Sequence, residues 1–90
     1  MPLFALICTD KPGHLETRKA NRDAHLAYLA ATGCVSLAGP FLTEGAMSGS
    51  LVVIEAADRA AAESWAANDP YAKAGLFSAV RIEEWKKVIG

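Results

Sequence analysis

No apolar run in this chain approaches the ~20 residues that a membrane-spanning helix needs, and no basic segment leads into a long apolar stretch and cleavage site. Neither a membrane partner nor a secretory leader is expected, and the expected location is the cytoplasm. A surplus of positive charge is also missing: 9 Lys and Arg stand against 10 Asp and Glu, interspersed, for a formal net charge of -1. Nucleic acid therefore has no basic stripe to bind. Cysteine is scarce. Cys8 and Cys34 form no CxxC pair, and two His with scattered carboxylates show no ligand spacing, so no metal is expected. A disulfide is not expected in a reducing compartment, and both thiols read as small buried residues. No residue points to heme or flavin, and the expectation is no cofactor.

What is present is the composition of a folded domain, 52% hydrophobic with 21% charged residues. A chain of 90 residues suits one domain, 1–90, because a much smaller core is hard to stabilise. "LFALIC" (Leu3 to Cys8) is a short apolar run closed by Thr9, Asp10, Pro12 and Gly13, which reads as a strand and a turn. Glu16 to Thr32 has neither Pro nor Gly, is rich in Ala, and is followed by Gly33 as a C-cap, which reads as a helix. "VSLAGPFL" begins as a strand that Gly39 and Pro40 are expected to break, and "EGAMSG" reads as a flexible return. "SLVVIEA" (Ser50 to Ala56) is β-branched and reads as a central strand. Asp58 is an N-cap for "RAAAESWAAN", with Trp65 on its buried face, and Pro70 ends that helix near Asn68. "AVRIEEW" closes the chain as an alternating strand.

The order β-α-β-β-α-β is the split βαβ, or ferredoxin-like, α+β arrangement: an antiparallel sheet with two helices on one face. Both faces of its strands are apolar. Phe4 and Leu6 oppose Leu3 and Ile7 in the first strand, and Leu51 and Val53 oppose Val52 and Ile54 in the third. Two helices cover one face only, so a second copy is expected sheet against sheet on the other, as a homodimer with higher assembly left open.

The first helix carries an unusual arc. Glu16, Lys19 and Asp23 mark its solvent side, while the opposite side holds Arg18, Asn21, His25 and Tyr28, flanked by Arg22. Unpaired buried polar groups cost about 1–3 kcal/mol each, so an inward polar arc suggests a polar cavity. Two plainer readings stand beside it: an inward His is commonly a satisfied core residue, and Arg18 and Arg22 could snorkel to water along the sheet edge. His14, beside Pro12 and Gly13, reads as a solvated turn residue. Asp69 has a local explanation as N-cap of a short turn, with Pro70 in its first position and Gly75 at its end.

The segments "TRKANRDAHLAYL", "LAGP", "GSLVVIEA" and "AAAESWAANDPYAKAGLF" resemble, in order and over nearly the whole chain, the signature segments of the YCII-related (YciI-like) proteins. The most specific pieces are the Arg-x-x-His-Leu step at Arg22–Leu26 and the Trp65…Asp69-Pro70-Tyr71…Ala74-Gly75 segment. The resemblance implies a dimeric α+β barrel, in which two ferredoxin-like sheets pack together. It also implies an active site built on a His-Asp dyad, which falls on His25 and Asp69. Gly49, Ser50 and Ala38–Pro40 would shape the pocket. The segment between "AGP" and "GS" is shorter than in several relatives, and "EEWKKV" stands where relatives often carry Pro-Phe, so that Trp85 would take the place of a packing aromatic. Most of the family is uncharacterised; one branch eliminates chloride from a hydroxyhydroquinone.

The resulting expectation is an enzyme without cofactor, with His25 as general acid or base on a small organic substrate, aromatic rings among the candidates, and Asp69 fixing its tautomer. Arg22 would bind a substrate oxygen, and Arg18, Ser50 and Tyr71 are the other expected substrate contacts. Elimination, isomerisation or hydrolysis fit such a site. Ser50 has no evident base and is not expected as a nucleophile. The alternative is a small-metabolite binding or accessory protein without turnover.

Overall fold

Gly33 adopts a left-handed φ of 66°, which ends the first helix, and the Asp58 carboxylate accepts the Ala61 N–H at 2.8 Å, which starts the second. The computed structural model describes all 90 residues, Met1–Gly90. In chain order these are β1 (Leu3–Asp10), α1 (Leu15–Thr32), β2 (Val35–Thr43), β3 (Ala46–Glu55), α2 (Arg59–Ala67), α3 (Pro70–Lys73) and β4 (Phe77–Trp85). The strands form one antiparallel sheet in the order β2-β3-β1-β4. With α3 as a single added turn before β4, this is the ferredoxin-like βαββαβ fold expected from the sequence.

The register decides which residues meet the helices. Leu6 lies opposite Val52 on one side and Ile82 on the other, and Phe4 lies opposite Ile54. These five residues are buried with Cys8, Ala56 and Ala62 in one core beneath the helices. Helix α2 meets this core through the buried Ala62, with Trp65 and Ala66 packed beside it. Trp65 is only half-buried rather than core: it tilts against Tyr28 with ring centroids 5.0 Å apart and donates from Nε1 to Thr32 Oγ1 at 3.1 Å.

Three local expectations are corrected. β2 does not break at Gly39 and Pro40 but runs through to Thr43, with Pro40 opposite Ser50. As an edge strand it needs ladder bonds on one side only, which tolerates a proline. "EGAMSG" is not a flexible return: Glu44 (φ 51°) and Gly45 (φ 82°) make a two-residue turn between the paired Thr43 and Ala46, and β3 begins there. Positive φ at both turn positions matches the twist of a hairpin. Cys34 is half-buried just after α1, whereas Cys8 is buried as expected.

On the face away from the helices, Leu3, Ile7 and Leu51 are half-buried and Leu37, Phe41 and Trp85 are 46%, 40% and 40% exposed. No helix is long and apolar enough to cross a membrane.

Candidate functional site

Helix α1 spaces Arg18, Arg22 and His25 one and two turns apart, and aims the first and third at the sheet. The other side of the site comes from α3. Pro70 sets its first turn and Asp69 caps it, with Asp69 Oδ1 accepting the Tyr71 N–H at 2.9 Å. The same oxygen lies 2.8 Å from His25 Nδ1. Capping and pairing with histidine are therefore not alternatives at Asp69; one oxygen does both. A carboxylate oxygen that already takes a backbone N–H fixes His25 as the Nδ1–H donor and turns Nε2 away from the pair. His25 and Asp69 are 6% and 4% exposed, so water competes little for this bond. The imidazole also stacks on the Tyr71 ring, centroids 3.9 Å apart and 12° between planes.

Arg18 does not snorkel. It is 2% exposed and held by three hydrogen bonds, from Nε to Asp10 Oδ2 at 2.7 Å, from Nη2 to Asp10 Oδ1 at 2.8 Å, and from Nη2 to Ser50 Oγ at 2.8 Å. Burial opposes its charge, but the Asp10 carboxylate, with Tyr71 adding to it, outweighs burial and raises its pKa above the ordinary value. Its guanidinium carbon lies 4.7 Å from the Tyr71 ring centroid. Burial raises the Tyr71 phenol as well, with Arg18 and Arg22 pulling it back. Tyr71 thus remains an O–H donor through neutral and mildly alkaline pH.

A cavity of about 80 Å³ opens between these groups, lined by Arg18, Arg22, His25, Ser50 and Tyr71 and walled by Pro40 and Met47 of the β2–β3 hairpin. Every fully buried side-chain nitrogen and oxygen has a hydrogen-bond partner. His25 Nε2 has no such bond and so keeps an accessible edge, and the Tyr71 hydroxyl lies beside the Arg18 guanidinium. Arg22 is exposed and makes no ion pair. One imidazole nitrogen and several hydrogen-bond donors thus converge on a single space. No three His, Cys, Asp or Glu side chains come together as a ligand set.

All six candidate site residues lie together here, but two members of the inward arc do not. Tyr28 donates to the Trp65 carbonyl at 2.8 Å, and Asn21 turns back to the Thr17 carbonyl at 2.9 Å. His14, the residue before α1, bonds through Nδ1 to the Pro12 carbonyl at 2.9 Å and lies outside this cavity. Asp10 belongs to the site although the sequence pattern places it in a turn after a strand ending at Cys8; β1 runs on to Asp10. The signal was indirect, an inward arginine that needs a carboxylate. Cys8 is no alternative nucleophile, since burial, with Asp69 adding to it, pushes its thiol up to about 12.

Residues 2–86 match the YCII-related domain. The chain belongs to the YCII-related family. This YCII-related chain is 34% identical to Protein YciI of Escherichia coli, with 96% of this chain and 98% of that protein aligned. It is 35% identical to an uncharacterised protein of Haemophilus influenzae, over 94% and 97% of the two chains. Among solved structures it is similar to the 5-chloro-2-hydroxyhydroquinone dehydrochlorinase TftG of Burkholderia phenoliruptrix in complex with 2,5-dihydroxybenzoquinone. That likeness has 37% identity, a TM-score of 0.85 and 93% of each chain covered. A structure described as an antibiotic biosynthesis monooxygenase has TM-score 0.62 at 12% identity, with 99% of this chain and 100% of that one covered, which is a likeness of fold alone.

Proposed function

We propose that this YCII-related protein is an enzyme that moves protons on a small hydroxylated ring. His25 Nε2 is the acid/base group, Asp69 holds its tautomer, and Arg18, Arg22, Tyr71 and Ser50 hold the substrate's oxygens. The observation that carries the proposal is the 2.8 Å His25–Asp69 bond at the wall of a polar cavity, with Nε2 unbonded. The likeness to TftG supports a ring of the hydroxyhydroquinone class.

For a chlorinated benzenetriol the chemistry closes as a loss of HCl. His25 takes a hydroxyl proton, and a proton is delivered to the chlorine-bearing carbon, which becomes tetrahedral. A second hydroxyl proton then leaves as its oxygen becomes a carbonyl, and chloride departs with the C–Cl electron pair. A hydroxyquinone remains. The sequence balances without oxidant or reductant. The oxyanion that develops between the two proton transfers lies where Arg18 Nη1, Arg22 and the Tyr71 hydroxyl can meet it, the arrangement that lowers such barriers most. A single positioned acid/base group contributes about 10²–10⁴-fold.

The direct experiment is chloride release from 5-chloro-2-hydroxyhydroquinone under anaerobic conditions. His25→Gln is expected to lower kcat at least ~100-fold while the far-ultraviolet circular dichroism stays that of the wild type. Binding without chloride release would move the protein to the metabolite-binding reading, and an unfolded His25→Gln would make His25 a structural residue.

We also propose that a second copy covers the outer sheet face, making a dimeric barrel. The support is the row Leu37, Phe41, Leu3, Ile7 and Trp85, apolar and only partly buried in one protomer. Leu37→Glu is expected to halve the mass seen by sedimentation equilibrium.

A further inference from the structure

The cavity at His25 is small for a substrate. At about 80 Å³ it falls short of the ~300–1,000 Å³ of ordinary ligand pockets. A second cavity of about 260 Å³ lies between the β1–α1 connector and the start of β3, and Met47 lines both. Joined past Met47, they come into the ordinary range.

The outer cavity has an unbalanced charge. Its one carboxylate is Asp10, and both of its oxygens already accept from Arg18. Lys11 lines the same cavity, is exposed and has no carboxylate partner, since the ion pairs of the chain are Arg18–Asp10, Lys19–Glu16, His25–Asp69 and Arg59–Glu63; its ammonium rests beside Gly75, after α3, and is free to turn toward the cavity. At the inner end Arg22 is equally free. Unpaired cations at both ends of a cleft draw anionic ligands and raise their local concentration.

We propose that the two cavities form one elongated site whose substrate is a hydroxylated ring bearing a carboxylate. The ring lies against His25 and its ionising oxygen near Arg22, while the carboxylate reaches past Met47 to Lys11. Lys11 and Met47 are then specificity-determining residues. The assignment rests on the acid/base reading above and adds the substituent that the inner cavity cannot hold.

Two probes separate the parts: hydroquinone, which has the ring alone, and 2,5-dihydroxybenzoate, which adds a carboxylate. Both are titrated anaerobically into the ¹⁵N-labelled protein at fixed ionic strength. The carboxylate is expected to tighten binding ~tenfold or more and to shift the amides of Lys11 and Met47 along with the His25 ring signals. In Lys11→Gln, and in Met47→Trp, which fills the passage, the difference between the probes is expected to fall to ~twofold or less. Equal affinities in the wild type, or an advantage that survives Lys11→Gln, overturn the assignment. Hydroquinone shifting His25 with no gain from the carboxylate sinks the outer subsite and leaves the acid/base site standing. If neither probe moves His25, both proposals fall.

Discussion

Removing Asp10 is the sharpest test of how the site is built. Asp10→Ala leaves the Arg18 guanidinium in a place where its side chain is 3% exposed, and the Asp10 side chain is 7% exposed. A buried pair broken on one side leaves an uncompensated charge, which costs about 3–5 kcal/mol. Arg18→Met should cost a similar amount for the mirrored reason. The double variant Asp10→Ala/Arg18→Met orphans no charge, so its cost should fall short of the sum of the singles by ~2 kcal/mol or more. Urea unfolding followed by circular dichroism, at one fixed protomer concentration, reads all four proteins. With a slope of about 1.5 kcal/mol per molar, a 3 kcal/mol loss moves the midpoint down by ~2 M. Single costs that simply add, or an Asp10→Ala loss below ~1 kcal/mol, would make the pair no different from a surface ion pair and refute the reasoning.

Gly49→Ala places a Cβ against the Cys8 carbonyl oxygen in the middle of the sheet, so it should destabilise by about 1–3 kcal/mol and displace the adjacent Ser50 from Arg18; denaturation and ligand titration check the two effects. Asp69→Ala removes both the α3 cap and the His25 partner, and ¹⁵N spectra should show His25 losing its single Nδ1–H tautomer, whereas an unchanged tautomer would count against the pair. Iodoacetamide at pH 8 should label Cys34 and spare Cys8, with mass spectrometry locating the adduct. Because the Cys8 pKa rises from 9.0 to about 12 on folding, its contribution is complete below pH 9 and is lost as pH climbs toward 12. At 1.36 kcal/mol per pH unit that loss reaches ~4 kcal/mol, and Cys8→Ala should show a shallower alkaline decline in stability.

Much of this molecule is legible along the chain because its causes are local. The β-α-β-β-α-β order follows from where apolar runs, glycines and prolines fall. The inward polar arc of α1 follows from helical periodicity, and the cap at Asp69 follows from Pro70 beside it. The family resemblance brought His25 and Asp69 together before the geometry did, although 44 positions separate them.

What escaped the sequence depends on contacts between distant segments. Residue preferences at Gly39 and Pro40 oppose a strand, yet pairing with β3 carries β2 through them, since an edge strand answers to one neighbour only. Asp10 looked like a turn residue because nothing within a few positions needs it; its partner Arg18 comes into reach only when α1 folds back over β1. Tyr28 and Asn21 share the helix arc with Arg18 and His25, but neighbouring backbone carbonyls take their hydrogen bonds and keep them out of the cavity. Local chemistry along the chain determined the elements and the residue types that could work as a site. Sheet register and helix packing decided which of those residues share one cavity, because a hydrogen bond of 2.8 Å depends on where two backbones come to rest.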